Sequence, residues 1–485
     1  MGCKHKHTDQ FVSFIDALRA FKMTHIYRAI TFLCFSGIIH FCRPNEITRA
    51  WWRSVSRHYL NYSETTQLLH SMEEEFSSFI RVYSLGKSVT QREMWAINLR
   101  EDVHEDRPIG MPQLKVSANI HGDESVGRSL VLMLAVDLTR RYLAGNKTAV
   151  YLLTNADIHL IPSLNPDGFE KTLQDYKMYG GHGICEPFFD VVGHQNARKK
   201  NLNENFPDPF DEKVDSNEME RETKNIVRHL HNHDFVLGLT LKGGALVAAY
   251  GFMSNSLKHS RCVLGSNYDP SETPDEEYFE WISKLYADNH KTMGTGPQCA
   301  TSSKAQFPLG ISNGAASSYL ASYGTMSDFI YLNSNCFEIT AFVSCCKFPS
   351  ASSLHKEWHN NVRAIYQFLL AGSFVGIKGV LTDEQGQPVK NARVAVEGNS
   401  HHVFTNSRGE YWRPLTKGSY RYSIVGSSTQ SLMEFGHVED LPDPENEVSE
   451  TVVTENRAFI SASVEMIVQN LTCALVLLFL VNHLE

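Results

Sequence analysis

The chain has 485 residues, of which 42% are hydrophobic and 20% charged, with a net charge of −9 at pH 7. That length has room for two or three domains and a large core, the composition argues against disorder, and the acidic balance without an arginine-rich run argues against a nucleic-acid partner. Ten cysteines without a C-x-x-C pair argue against a structural zinc site and fit an oxidising compartment.

Taken in chain order, Lys4, Lys6, Arg19, Lys22 and Arg28 precede an apolar run at 29–39. A basic lead before a run too short to span a bilayer reads as a secretory signal over residues 1–42, with an uncleaved signal anchor as the alternative. Asn61 and Asn146 each open an Asn-x-Ser/Thr glycosylation acceptor, consistent with that route. Apolar residues at helical spacing follow over 62–79, then a hairpin over 80–99 with its bend near Ser84-Leu85-Gly86-Lys87. Residues 114–120 alternate as a strand, His121-Gly122-Asp123-Glu124 forms a turn, and 125–143 reads as a helix with Val126, Leu130 and Leu134 on one face. A His and a Glu three apart, at the mouth of a strand-to-helix turn, can aim at one metal ion; they are two of the three protein ligands a hydrolytic zinc centre needs.

Residues 151–160 read as another strand, leading to the turn residues Asn165-Pro166-Asp167-Gly168. Helical patterns at 218–231 and 276–290 then interleave with apolar runs at 235–241, 245–250 and 336–344. Such interleaving implies an α/β domain over 55–372, with helices flanking a mostly parallel or mixed central sheet. Its last helix spans 353–371. The pattern then changes to short alternating strands around Gln385-Gly386, a small β-sandwich over 375–451. In the tail, 452–485, Ser461-Ala462-Ser463 precedes an apolar run at 471–481. This resembles a glycolipid-anchor signal and would attach the chain to a membrane; a frayed amphipathic end is the alternative. The candidate disulfides are Cys262 with Cys299, and Cys336 with Cys345 or Cys346, and the sequence leaves the connectivity open.

HGDESVGR, PSLNPDGFE, NLNENFPD, SNCFEIT and GEYWRPLTKGSYRYS together resemble the zinc metallocarboxypeptidases of the N/E type, the group of carboxypeptidases D, E, M and N. The resemblance covers about residues 59–450. It implies the zinc carboxypeptidase fold followed by a transthyretin-like β-sandwich, a zinc cofactor, and removal of C-terminal Lys or Arg from peptides. Activity, however, belongs to the site and not to the fold.

The site residues depart from the family pattern. His121 and Glu124 match its first two zinc ligands, but the third, a His in a motif like LHGG, falls on Lys242. A lysine ammonium has three donors and no acceptor, and freeing its lone pair at pH 7 costs about 4–5 kcal/mol. The charge of Lys242 is therefore expected to stand in for the metal and pair with Glu124, leaving zinc absent or weakly held. The family's general base, a Glu in a strand like CFEITVEL, falls on Phe342, which accepts no proton. Glu338 lies four strand residues away, about 13 Å, and cannot replace it. Asn203 matches one member of the pair that clamps the substrate carboxylate, but Glu204 takes the Arg position, turning attraction into repulsion. The Arg that holds the developing oxyanion falls on His194, and two residues of the side-chain pocket fall on Met253 and Ser327. Tyr319 is the nearest match to the Tyr that closes over substrate, in a segment about two residues longer than the family's.

Several departures inside intact framework motifs point to a fold kept without its chemistry. The expected function is a non-catalytic module, secreted or on the cell surface, whose cleft binds a peptide or an extracellular protein. The alternative is an active zinc metallocarboxypeptidase of altered specificity.

Overall fold

In the computed structural model of the chain, the described residues are 46–183, 185, 192–208, 218–254, 268–295, 299, 306–374, 376–426 and 432–438. The apolar runs at 29–39 and 471–481, and Cys262, lie outside them. No described helix is long and apolar enough to cross a membrane. One compact unit ends at Ser54 and a second begins at Val55, holding both the α/β and the β domain.

The α/β domain is built on a mixed sheet of eight strands. These are β1 (Ile80–Lys87), β2 (Glu93–Leu99), β3 (Gln113–Ala118), β4 (Asp157–Ile161), β5 (Phe235–Lys242), β6 (Ala245–Tyr250), β7 (Ile311–Asn313) and β8 (Phe337–Ser344), in the order β1-β2-β4-β3-β5-β8-β6-β7. The central strands β4, β3, β5 and β8 run parallel, while β2 and β6 flank them antiparallel. Every residue of β3, β4 and β5 is buried, which is why these segments read as continuous apolar runs and not as alternating ones.

Among the described residues, the helices that accompany the sheet include α1 (Tyr62–Glu75), α2 (Ser125–Leu143), α3 (Lys147–Asn155), α4 (Pro166–Met178), α5 (Arg221–His231), α6 (Glu276–Asn289), α7 (Met326–Asn333) and α8 (Leu354–Ser373). Ile226 and Leu230 of α5, with Phe329 and Ile330 of α7, share a core with Met94, Ile120 and Ile161 from the sheet side. Gly372 of α8 lies directly against Leu114 and Leu237 of the sheet.

Four details correct the sequence reading. Residues 151–155 are helical and not strand: Asn146 caps α3 by accepting from the Ala149 amide, and the strand begins only at Asp157. A short apolar run fits either period, and here the cap decides. Asn165-Pro166 is a helix start, with Asn165 accepting from the Gly168 amide and Pro166 in the first turn. The hairpin turns at 88–92, and Ser84–Lys87 lies inside β1 at a register shift, with Gly86 at φ +132°. Finally, among the described residues the disulfides are Cys185–Cys346 and Cys299–Cys345, while Cys336 is buried and free. Cys336 and Cys345 stand at opposite ends of β8, about 30 Å apart at strand rise, so they cannot bridge.

The β domain comprises β9 (Ile377–Val380), β10 (Arg393–Val396), β11 (His402–Phe404), β12 (Glu410–Arg413), β13 (Gly418–Val425) and β14 (Leu432–Val438). A sheet β11-β10-β13-β14 stands beside the pair β12-β9. The domain docks where the parallel strands begin. Asn406 donates to Asp234, just before β5, and Glu410 pairs with Arg107, ahead of β3. Arg413 pairs at 2.5 Å with Asp275, both fully buried. The opposite end of the sheet, where those strands finish, is left for the cleft.

Candidate functional site

β3 ends at Ala118, and Asn119, at φ +60°, turns the chain out of the sheet. Its side-chain amide donates to the carbonyls of His121, Gly122 and Glu124, and Ser163 donates to its oxygen, so one residue pins the whole turn. Only glycine fits at 122, because a Cβ there would collide with the carbonyl carbon of Gly168 and the carbonyl oxygen of Gly193. Glu124 is the residue before α2, yet its side chain makes no capping bond. It is directed to the cleft instead.

That cleft has a volume of about 1430 Å³ and opens at the carboxyl ends of β3, β5 and β8. His121, Glu124, His194, Asn203, Glu204, Lys242, Tyr319 and Phe342 all line it, so eight sequence-predicted positions are brought together. Met253 and Ser327 are buried and do not line it. Met253 packs in an apolar cluster with Val247, Phe307 and Leu320 beneath the rings of Tyr319 and Phe342. The glycosylation candidates are both helix caps, Asn61 at α1 on the cleft rim and Asn146 at α3.

The His121 ring is held between Glu124, 2.9 Å from Nδ1, and the Asn201 side-chain oxygen, 2.9 Å from Nε2. Burial pushes the imidazole down to about 4 against the pull of Glu124, so it is neutral at pH 7. His194 stacks on it at 3.9 Å between ring centroids and places Nδ1 2.9 Å from Asp123. Burial works to raise Glu124, but His121, Lys347 and Lys242 overrule it and hold the carboxyl well below the usual range.

The expected Lys242–Glu124 ion pair is not formed among the described residues, which corrects the sequence reading here too. Lys347 takes that place, with its ammonium 3.3 Å from Glu124 and 3.2 Å from Asp123. Sequence reasoning missed Lys347 because its position depends on the fold. It follows Cys345 and Cys346, both tied by disulfides, and its carbonyl accepts from the Ser125 amide at the start of α2. The two carboxylates also hold its ammonium in the charged form, against burial.

Lys242 ends β5 and is 6% exposed. Its ammonium lies 5.7 Å from the centre of the Phe342 ring. Burial lowers its pKa and Glu124 opposes that. Phe342 pairs with Lys242 across the β5–β8 register, so the two substitutions are neighbours at the cleft floor. Glu338 is withdrawn into the sheet, paired with Lys115 at 2.5 Å and accepting from Thr240.

His121 and Glu124 are donors of the type a zinc centre uses, but a protonated Lys242 offers no lone pair. The residues present therefore do not fit the metal at the place where Lys242 stands. A different set exists: His121, Glu124 and His194 each offer a ligand atom, all within 4.8 Å of one another.

A family model described as "Zinc carboxypeptidase" matches residues 65–364, and one described as "Carboxypeptidase regulatory-like domain" matches 376–435. The chain is 35% identical over 386 residues to the carboxypeptidase N catalytic chain of Homo sapiens, covering 76% of this chain and 80% of that one. It is 36% identical over 393 residues to carboxypeptidase D of Drosophila melanogaster, covering 79% of this chain but only 26% of that protein's length. Carboxypeptidase Z of Rattus norvegicus is 34% identical over 381 residues, covering 74% of this chain and 55% of that one.

Proposed function

Because the chain belongs to the zinc carboxypeptidase family, we propose that it is a member without hydrolytic activity, whose cleft binds a peptide or an extracellular protein segment. One observation carries this reading: the neighbouring pair at the cleft floor, an ammonium at 242 and a phenyl ring at 342, where a metal donor and a proton acceptor would be required. Loss of general-base help alone removes roughly 10²–10⁴ in rate. Glu204 adds a carboxylate to a wall that would have to attract one. Full-length protein incubated with zinc and with peptides ending in Lys, Arg or Glu is expected to release no C-terminal residue above background; measurable zinc-dependent release overturns the proposal.

The second reading is an active zinc metallocarboxypeptidase of altered specificity. It is favoured by the convergence of His121, Glu124 and His194. Both ring nitrogens of His121 face oxygen acceptors, of which a neutral ring can serve only one. Elemental analysis separates the two: the non-catalytic reading expects little tightly held zinc, the other about one ion per chain. We further propose a secretory, cell-surface or extracellular location, supported by two disulfides, Cys185–Cys346 and Cys299–Cys345. Finding those four thiols alkylatable without reductant in the native protein would refute it.

A further inference from the structure

We propose that Lys242 is the anchor for a carboxylate on the ligand, so that the cleft selects acidic ligands at the point where the family fold would otherwise hold its metal. This rests on the non-catalytic reading above and specifies what the cleft takes.

The argument is an accounting of donors and acceptors. The acidic groups on the floor and wall are already used. Asp123 accepts from His194 and from Lys347, Glu124 faces His121, Lys347 and the Gly243 amide, and Glu204 accepts from Ser322. Lys242 is different. More than nine-tenths of it is buried, it lines the cleft, and among the described residues no carboxylate lies within ion-pair distance of its ammonium. Among the described residues its ammonium donates no hydrogen bond either, so its N–H donors are unspent, and the centre of the Phe342 ring lies 5.7 Å away. With its stem buried and its head turned to the cleft, the ammonium has Glu124 near it but beyond ion-pair distance, so a ligand anion that meets it forms a charge-assisted contact the free protein lacks.

The surroundings favour an anion of peptide type. The Asn203 side chain and the Tyr319 hydroxyl also line the cleft, and neither makes a side-chain hydrogen bond among the described residues. Phe342 supplies an apolar wall beside them. Lys171, Lys177 and Lys199, all exposed at the mouth, add positive field along the way in. A planar carboxylate with an apolar stem matches this set. It can come from a peptide terminus or from an acidic side chain, and the two are separated below.

The test uses the full chain and three probes measured by calorimetry: an acetylated oligo-alanine peptide as free acid, the same peptide as C-terminal amide, and an amide whose last residue is Glu. At least one acid form is expected to bind about tenfold to a hundredfold tighter than the plain amide. An advantage of the free acid identifies a terminal carboxylate, and an advantage of the Glu amide identifies a side chain. Lys242→Met is expected to abolish the advantage without lowering the thermal transition, since it removes a buried charge, while Lys242→Arg keeps it. Equal affinity for all three probes, no measurable binding of any, or an acid advantage that survives in Lys242→Met each overturn the proposal. Release of alanine from the free acid sinks the non-catalytic reading instead, and the comparison of wild type with Lys242→Met still reports on the anchor.

Discussion

At the scale of single residues, the site is decided by what stands at 242 and 342, and these positions make a constructive prediction. Lys242→His replaces an ammonium with an imidazole beside His121 and Glu124, completing a three-donor set of the kind zinc takes. The variant should purify with about one zinc per chain by elemental analysis and remain inactive, because Phe342 still accepts no proton. Adding Phe342→Glu should then give detectable peptide hydrolysis, weak while Glu204 repels the substrate carboxylate. If Lys242→His took up no zinc, the ammonium would not be what excludes the metal. His121 and Glu124 were legible in the sequence because they lie three residues apart in one turn. Lys347 and Asp123 were not, since they meet across 224 positions of chain, and only the fold brings that ammonium onto the two carboxylates. The assignment of the Glu124 counter-charge to Lys242 went wrong for the same reason: adjacency in a motif says which elements meet, but not which of two lysines reaches an oxygen.

At the scale of elements, the turn between β3 and α2 is held by close packing as much as by hydrogen bonds. Gly122→Ala should destabilise the protein by about 1–3 kcal/mol or more, because the added methyl meets backbone on two sides and backbone cannot swing away. Urea midpoints of the variant and wild type would measure it, and an unchanged midpoint would mean the turn is looser than its packing implies. A second element carries a pH dependence. His229, near the end of α5, and His233 just beyond it pack with His159 of β4 and Tyr83 of β1 at centroid separations of 4.3–6.3 Å. Asp157, Lys115 and Arg81 are the charges that bear on this cluster. Burial pushes His233 down to about 4, and His229 further still. Since an unfolded histidine titrates near 6.5, the native state favours the neutral rings. Their contribution is complete above about pH 6.5 and is lost as pH falls toward 4. His233 alone should cost about 1–2 kcal/mol by pH 5, allowing for its partial exposure. His233→Gln should therefore show a shallower fall of melting temperature between pH 7 and 5 than wild type, and a parallel fall would place the acid sensitivity elsewhere. The sheet strands were legible because buried parallel strands carry unbroken apolar runs, whereas the helix at 147–155 was hidden by an apolar stretch too short to fix its period.

At the scale of the whole molecule, the cleft and the β domain occupy opposite ends of one sheet, and no described residue of the β domain lines the cleft. The two-domain plan was readable from the change of pattern near 376; the docking surface was not, because it is made of charges scattered over both domains. Its centre is Asp275, which receives Arg413 at 2.5 Å, the Tyr331 hydroxyl at 2.7 Å and the Asn399 amide at 2.7 Å, with His401 2.9 Å away. Arg413 is wholly buried. Removing its counter-charge should therefore cost far more than the net worth of the pair, on the order of 3–5 kcal/mol, because an uncompensated guanidinium is left in the interior. Asp275→Asn keeps the shape and takes only the charge, and its urea midpoint should fall accordingly. The double variant Asp275→Asn with Arg413→Met should recover much of that loss, which a double-mutant cycle reads directly. Binding of the peptide probes should be the same in all of these variants while they remain folded, since the clamp sits at the strand beginnings and the ligand at the strand ends. A clamp variant that is folded yet loses the probes would show that the β domain does more than close the far end of the sheet.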